Sequence, residues 1–150
     1  MKLSVRPATV ADVPSMMALE KHAATAAHWS LAQYEALFRA SSPDRVALSI
    51  REESDLHGFV IARVLGEEWE IENIAIAGPA RRRGLGTRLL GELLDLARAK
   101  GAAAVFLEVR ESNHAARALY GKWAFLEGGR RRSYYKNPEE DAILYRLDFT

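Results

Sequence analysis

The segment that most constrains the fold runs from Glu68 to Arg110. It begins with the strand-like run "EWEIENIAIA" and continues, after a turn, into a leucine-rich stretch from Gly84 to Lys100. In that stretch the leucines recur at helical spacing, which predicts a helix with one broad apolar face, stopped by Gly101. The apolar run "AAVFLEVR" that follows predicts a buried strand. A strand, a crossover helix and a second strand predict a parallel pair within one sheet.

The remaining segments predict strands and helices around this unit. "KLSVRPA" favours a strand, Thr9 and Asp12 favour a capping box that opens a first helix, and Ser30 favours the start of a second. "RVALSIRE" and "LHGFVIARVL" precede "EWEIENIAIA" with short polar turns between them, which indicates an antiparallel meander. Asn113 is suited to cap another helix, and "AFLEGGRRRSYY" with "DAILYRLDF" predicts a final hairpin.

This order of elements predicts an α+β fold. We expect a mixed, mostly antiparallel sheet of six to seven strands with one parallel pair, flanked by about four helices. A chain of 150 residues fits one domain with a full core.

Composition excludes several classes of function. The chain has no cysteine, so disulfides, thiolate metal sites and a cysteine nucleophile are absent. Its formal charge of +1 gives no global attraction to nucleic acid, and its four histidines show no ligand spacing, so no metal is expected. No apolar run approaches the roughly 20 residues that span a bilayer, and the stretch "MKLSVRPATV" does not have the apolar core of a signal peptide. We expect a soluble, cytoplasmic protein without a membrane partner.

The turn before the leucine-rich helix has the features of an anion site. Helix N-termini carry unpaired N–H groups and a positive dipole end, and glycines at 84 and 86 allow close approach to the backbone. The dinucleotide pattern fails because position 89 is Leu, and the nucleotide P-loop fails because no Gly-Lys-Ser/Thr follows. The alternative is a glycine that merely starts the helix beside solvated arginines.

The motif Arg81-x-x-Gly84-x-Gly86, preceded by "IENIAIAGPA", resembles the acyl-CoA-binding motif of the GNAT superfamily of N-acetyltransferases. "LEVRESNHAARALYGKWAF" and "RRRSYYKNPEEDAILYRL" resemble its RimI branch, the ribosomal-protein N-terminal alanine acetyltransferases. The resemblance is close over residues 69 to 147. It implies the GNAT fold, with the parallel pair splayed at an acetyl-CoA site.

The resemblance also implies how acetyl-CoA binds. The backbone of Ile74 to Ile76 would pair with the pantetheine arm, and the amides of Arg82 to Thr87 would surround the pyrophosphate as an anion-binding nest. Arg81 matches the first motif position, and Asn113 matches a contact to the CoA arm, although its role as a helix cap is an equal alternative. The expected acetyl-CoA-binding residues are Ile74, Ala75, Ile76, Arg81, Arg82, Arg83, Gly84, Leu85, Gly86, Thr87, Asn113 and Tyr120.

Two glutamates are candidates for the general base. Glu108 alternates with inward Val105, Leu107 and Val109, so it points to the opposite face, where a carboxylate is either solvated or functional. The resemblance favours function, because Glu108 matches the base of the RimI branch. Glu70 is the second candidate, expected to share a face with Glu72, Ile74 and Ile76.

Tyr120 is the candidate acid. By pattern it lies on an apolar helical stripe, where tyrosines are usually core residues, whereas the resemblance makes it the group that protonates or orients the thiolate sulfur.

Other aromatic and basic residues are candidates for acceptor binding. Tyr134 and Tyr135 match a peptide-binding pair in the resemblance, but neighbours in a regular strand point to opposite faces, so one of them is a packing candidate. Trp29 is a candidate for the opposite wall. The cluster from Arg130 to Arg132 is either a solvated edge or a surface for an acidic peptide or ribosomal RNA.

Together these features predict an enzyme that transfers acetyl from acetyl-CoA to the N-terminal α-amine of a protein or peptide, with a ribosomal protein as one candidate, by direct attack in a ternary complex. One alternative is the same chemistry on a small amine or a lysine side chain. Another is a non-enzymatic acyl-CoA-binding or RNA-associated module. We expect a monomer or a weak homodimer.

Overall fold

The computed structural model describes residues 2–22, 29–39, 44–78 and 84–149. Within these ranges, strands β1 to β7 span Leu3–Pro7, Arg45–Glu52, Asp55–Leu65, Glu68–Ile76, Ala104–Arg110, Leu126–Tyr135 and Glu140–Asp148. In the same ranges, helices α1 to α4 span Val13–Lys21, Leu31–Ala36, Leu85–Ala99 and His114–Lys122. No helix in the described part of the chain is long and apolar enough to cross a bilayer.

The strands form one sheet in the order β1-β2-β3-β4-β5-β7-β6. Strands β2 to β4 form the predicted antiparallel meander, β1 pairs antiparallel with β2, and β6 and β7 form the predicted hairpin. The predicted parallel pair is β4 with β5. The α+β architecture with one parallel pair is therefore confirmed.

Helices cover both faces of the sheet. On one face, the apolar stripe of α3 packs with α4 in a large core that includes Leu89, Leu93 and Tyr120. On the other face, α1 and α2 pack in a smaller core that includes Met16 and Tyr34. Each fully buried leucine contributes about 1.5–3 kcal/mol relative to exposure, so the leucine stripe that predicted α3 also fixes it on the sheet.

Local signals place the helix ends. Ser30 caps α2, because its Oγ accepts a hydrogen bond from the Gln33 amide at 3.2 Å and the Gln33 side chain accepts one from the Ser30 amide at 2.8 Å. Thr9 and Asp12 form the predicted capping box, which opens a 3-10 turn over Val10–Asp12 before α1 begins at Val13. Gly101, with a φ of 87°, follows the last turn of α3 as predicted.

The face predicted for Glu70 is wrong. Trp69 and Ile71 pack in the same core as Ile74 and Ile76, so Glu70 points to the other face of the sheet. The cause is a β-bulge: Ile71 and Asn73 pair with consecutive residues of β3, which leaves Glu72 as an extra residue and reverses the alternation after it.

Candidate functional site

A gap opens between the two parallel strands. The pairing of β4 with β5 covers only Glu68 to Glu70 against Ala104 to Phe106. Beyond Glu70, the described part of β4 pairs with β3 alone. The two strands therefore diverge towards their carboxyl ends, and the edge of β4 that faces β5 is open to an extended ligand.

A cavity of about 560 Å³ lies along this edge, bounded by β4, the start of α3, and α4. Its lining consists of Ile74, Ala75, Ile76, Gly84, Gly86, Thr87, Ala115, Ala116, Ala118, Leu119 and Lys122. Six residues of the predicted acetyl-CoA set line it. Leu85 instead buries its side chain in the core, Asn113 caps α4, and Arg81 to Arg83 lie outside the described residues.

The α4 wall was not predicted residue by residue. Ala115, Ala118 and Lys122 recur at helical spacing after the capping Asn113, and the small alanines allow a ligand to approach the helix. This spacing in the sequence could have predicted that these three residues share one face of the helix.

The start of α3 fits an anionic group. Gly84 adopts a left-handed conformation with a φ of 75°, and a β-carbon built on it meets no atom within 4 Å. The first amides of α3 follow directly and lack partners within the helix, so they favour negative charge. With the apolar β4 wall and the open strand edge beside it, this groove fits the phosphates and extended arm of acetyl-CoA.

Tyr120 lies on α4, outside the lining of the cavity, and its side chain is buried, 3% exposed. Its ring packs near Phe125 and Tyr145, with centroid distances of 5.6 and 5.9 Å. Burial, and then the neighbouring Tyr135, raise the pKa of Tyr120 above its usual range. The hydroxyl therefore keeps its proton across the physiological range. Tyr120 is therefore a buried core residue, as its helical pattern indicated, and it also keeps the proton that an acid must donate.

Glu108 lies on the opposite face from Tyr120, as the alternation along β5 predicted, and its side chain is 16% exposed. Its Oε1 lies 3.1 Å from Nε of Arg131, whereas its buried Oε2 has no hydrogen-bond partner among the described residues. A buried carboxylate oxygen without a donor is costly in a purely structural residue. It is expected where a reacting group must receive a proton.

Glu70 lies close enough to Glu108 for their charges to interact. Burial raises the pKa of Glu70, and the charges of Glu72 and Glu108 raise it further, while Arg63 and Arg131 oppose the shift. The structure thus brings both predicted carboxylates to one acidic region beside the gap.

The tyrosine pair departs from the regular strand that was expected. Residues 132–134 of β6 lie opposite a single residue of β7, and Ser133 has a φ of 52°. Because the strand is irregular, the rings of Tyr134 and Tyr135 lie together, with a centroid distance of 5.1 Å in an edge-to-face arrangement. Tyr134 is 51% exposed, and the pKa of Tyr135 is raised by burial and then by Glu108. The expectation that one of the two rings only packs depended on a regular strand, and this segment is not regular.

Trp29 lies on the side of the sheet covered by α1 and α2. Its ring packs on Tyr34 at a centroid distance of 5.6 Å, and the guanidinium of Arg45 lies 5.8 Å from its centroid. Its amide donates a 2.7 Å hydrogen bond to the buried carboxylate of Glu20. Arg45 also binds Glu72 at 2.7 Å, which places Trp29 near the acidic region.

The basic cluster in β6 is largely engaged inside the protein. Arg130 contacts Glu111 and Asp141 at 2.7 Å each, and Arg131 pairs with Glu108. These contacts neutralise two of the three charges, which weakens the case for an RNA-binding patch. Among the residues that the structure describes, no group of three or more histidines and carboxylates is arranged to hold a metal ion.

Comparisons with known proteins agree with this geometry. Residues 13–125 match the Acetyltransferase (GNAT) family. The ribosomal protein bS18-alanine N-acetyltransferase of Salmonella typhimurium is 36% identical over 139 residues, which are 91% of this chain and 90% of that protein. The N-alpha-acetyltransferase RimI of Mycobacterium tuberculosis is 38% identical over 112 residues, which are 72% of this chain and 69% of that protein.

A solved structure shows the same fold over almost the whole chain. The crystal structure of the ribosomal-protein-S18-alanine N-acetyltransferase from Escherichia coli has a TM-score of 0.87 with 29% identity, and covers 99% of this chain and 95% of its own. The family match covers most of the present sequence, and the groove beside the splayed strands fits the acetyl donor that this family uses. The chain belongs to the GNAT family of acetyltransferases.

Proposed function

We propose that this protein transfers the acetyl group of acetyl-CoA to the N-terminal α-amine of a protein or peptide. The observation that carries the proposal is the pair of features that meet at the gap between β4 and β5. The donor groove lies on the α3 and α4 side, and the acidic region of Glu70 and Glu108 lies on the other. The relatives named for acting on the alanine terminus of a ribosomal protein support a ribosomal protein as the acceptor.

The acidic region suits an α-amine. Such an amine has a pKa near 8, against about 10.4 for lysine, so it needs less help to lose its proton at neutral pH. Carboxylates at the acceptor side attract the ammonium form, and the unpaired Oε2 of Glu108 receives a proton directly or through one water. We assign Glu108 as the base and Glu70 as the neighbour that keeps the region negative.

Acetyl-CoA supplies the acetyl group as a thioester. In direct transfer, the amine nitrogen bonds to the thioester carbonyl carbon, and the carbon–sulfur bond breaks. Tyr120 keeps its proton at neutral pH and is assigned to donate it to the departing sulfur. The exposed ring of Tyr134 and the half-buried ring of Tyr135, packed edge to face, offer an aromatic surface for the backbone of a peptide acceptor.

Peptides with free N-termini, and peptides with a blocked N-terminus and a free lysine, separate this proposal from acetylation of a lysine side chain. We expect mass spectrometry to show acetyl transfer to the first set only. Transfer to the lysine set alone, or to a small amine with neither set modified, would overturn the α-amine assignment. Binding of acetyl-CoA without transfer to any amine would favour a binding module.

Glu108→Gln and Tyr120→Phe test the two roles. Each is expected to lower kcat by about 10²–10⁴-fold, the usual contribution of a positioned acid or base, with little change in the Kd for acetyl-CoA. Tyr145→Phe is a matched control, because its ring contacts Tyr120 but its hydroxyl accepts a 3.0 Å hydrogen bond from Arg117. Wild-type turnover in both test variants would remove the two residues from the chemistry.

A further inference from the structure

Glu108 forms a salt bridge with Arg131. The guanidinium of Arg131 lies 3.1 Å from its Oε1, with the arginine side chain 57% exposed and the carboxylate 16% exposed. The buried end of this pair belongs to the proposed base, and the exposed end belongs to a residue on β6. A salt bridge with one solvated partner is weak and can open at modest cost.

Neighbouring arginines are held much more firmly. Arg130 contacts two carboxylates at 2.7 Å each. Arg110 contacts Glu140 at 3.2 Å and also donates to the backbone oxygens of residues 136 and 138. Among the described residues, Glu108 is the carboxylate with which Arg131 forms a salt bridge. Arg131 is therefore the arginine in this part of the sheet that can leave its partner with least loss.

Arg131 also contacts the tyrosine surface. Its guanidinium lies 5.3 Å from the centroid of the exposed Tyr134 ring, on the tyrosine surface assigned to the acceptor. The regular pairing of β6 breaks directly after Arg131. The side chain thus contacts both the tyrosine surface assigned to the acceptor and the proposed base.

The carboxylate of Glu108 can pair favourably with one cation, whereas two cations beside it would repel each other. Arg131 offsets the charge of Glu70 as well as that of Glu108, and Arg63 assists it. An acceptor ammonium brought to the same carboxylate would lie within a few ångströms of the guanidinium, and like charges at that distance repel. Binding of the acceptor and departure of Arg131 are therefore coupled.

We propose that Arg131 is a specificity residue that fills the cation position at Glu108 until the ammonium group of the acceptor displaces it. This inference rests on the proposed function, because it assumes that the acceptor amine approaches Glu108. An acceptor without a cationic amine cannot replace the guanidinium. The salt bridge between Arg131 and Glu108 therefore stays formed when the N-terminus is blocked. Arg131 acts through Glu108 and takes no part in the transfer itself.

Methylguanidinium tests the cation position without any turnover. Titration calorimetry on Arg131→Ala is expected to show binding of this probe about two- to fivefold tighter than on the wild type, in which Arg131 fills the position. Arg131→Ala combined with Glu108→Gln is expected to lose that binding. Arg132→Ala removes the same charge from the adjacent residue and is the matched control, expected to behave as wild type. Equal binding by wild type and Arg131→Ala would overturn the inference.

Steady-state kinetics test the competition. Arg131→Ala is expected to lower the KM for a peptide acceptor by about two- to fivefold, the size of a weak, partly solvated pair, with a smaller change in kcat. Arg131→Lys is expected to restore KM towards the wild-type value because it returns a cation. A higher KM in Arg131→Ala would show instead that Arg131 binds the acceptor directly. Failure of the wild type to acetylate any peptide would refute the proposed function, while the calorimetry would still decide the inference.

Discussion

Replacing Gly84 with alanine distinguishes an effect on stability from an effect on acetyl-CoA binding in the donor groove. Gly84 has a φ of 75° at the start of α3, lines the groove, and leaves space around a built β-carbon. Gly101 is a matched control at the other end of the same helix, with a φ of 87° and equally open space, but it does not line the groove. Both replacements force a β-carbon into the left-handed region without a steric clash.

The two changes should therefore cost similar stability. A non-glycine residue in the left-handed conformation costs about 1–2 kcal/mol. For a chain of 150 residues, each 1 kcal/mol lowers Tm by about 2–4 °C. We expect both Gly84→Ala and Gly101→Ala to unfold about 2–8 °C below the wild type.

Of the two replacements, only Gly84→Ala should weaken the binding of acetyl-CoA. Its methyl group enters the space that the groove offers to the phosphates and keeps them from the first amides of α3. One lost hydrogen bond to a charged group is worth about 1.5–3 kcal/mol, which corresponds to roughly a 10- to 100-fold higher Kd. Calorimetric titration with acetyl-CoA at a temperature where both variants are folded measures this difference. An unchanged Kd in Gly84→Ala, or an equal loss in Gly101→Ala, would refute the assignment of the groove.

Two further changes probe packing and charge. Gly91→Ala should lower Tm despite the better helix propensity of alanine, because its β-carbon would lie 2.6 Å from the ring of Trp123; a rise in Tm would show that the ring can move away. The Ser133 amide and then Arg130 hold the pKa of Asp141 below its usual value. This stabilisation is present above the unfolded pKa of about 3.9 and disappears as the pH falls below it. Asp141→Asn should therefore speed amide exchange in the β6–β7 hairpin at neutral pH, and unaltered exchange would contradict this role.

Local patterns were sufficient for most of the fold. Ser30 and Asn113 cap their helices through side chain to backbone hydrogen bonds within three residues, which a short window of sequence contains. The alternation of Val105 and Leu107 with Glu108 also predicted correctly which face of β5 is buried. Such features depend on neighbours along the chain, so they require no knowledge of tertiary contacts.

Short sequence patterns could not predict the long-range charge pairing in the acidic region. Arg131 and Glu108 are separated by α4 and come together because β5 and β6 both flank β7. The sequence identified Glu108 as a candidate base and the arginine cluster as a separate feature. The contact between them reaches across β7, so no short window of sequence contains it.

The bulge at Glu72 explains both the wrong face for Glu70 and the position of the gap. Bulges bend a strand and increase its twist, and this one lies two residues after Glu70, where the pairing of β4 with β5 ends. The side chain of Glu72 is held by Arg45 through contacts of 2.7 and 3.3 Å, which favours the bulged conformation. The sequence contained an indication of this bulge, since the bulky apolar residues of β4 are spaced by two, three and two, and the step of three falls between Ile71 and Ile74. A regular strand would have continued along β5 and separated the Tyr120 face from the Glu108 face. The extra residue therefore lies where β4 leaves β5, between Glu70 and the residues Ile74 to Ile76 that line the donor groove.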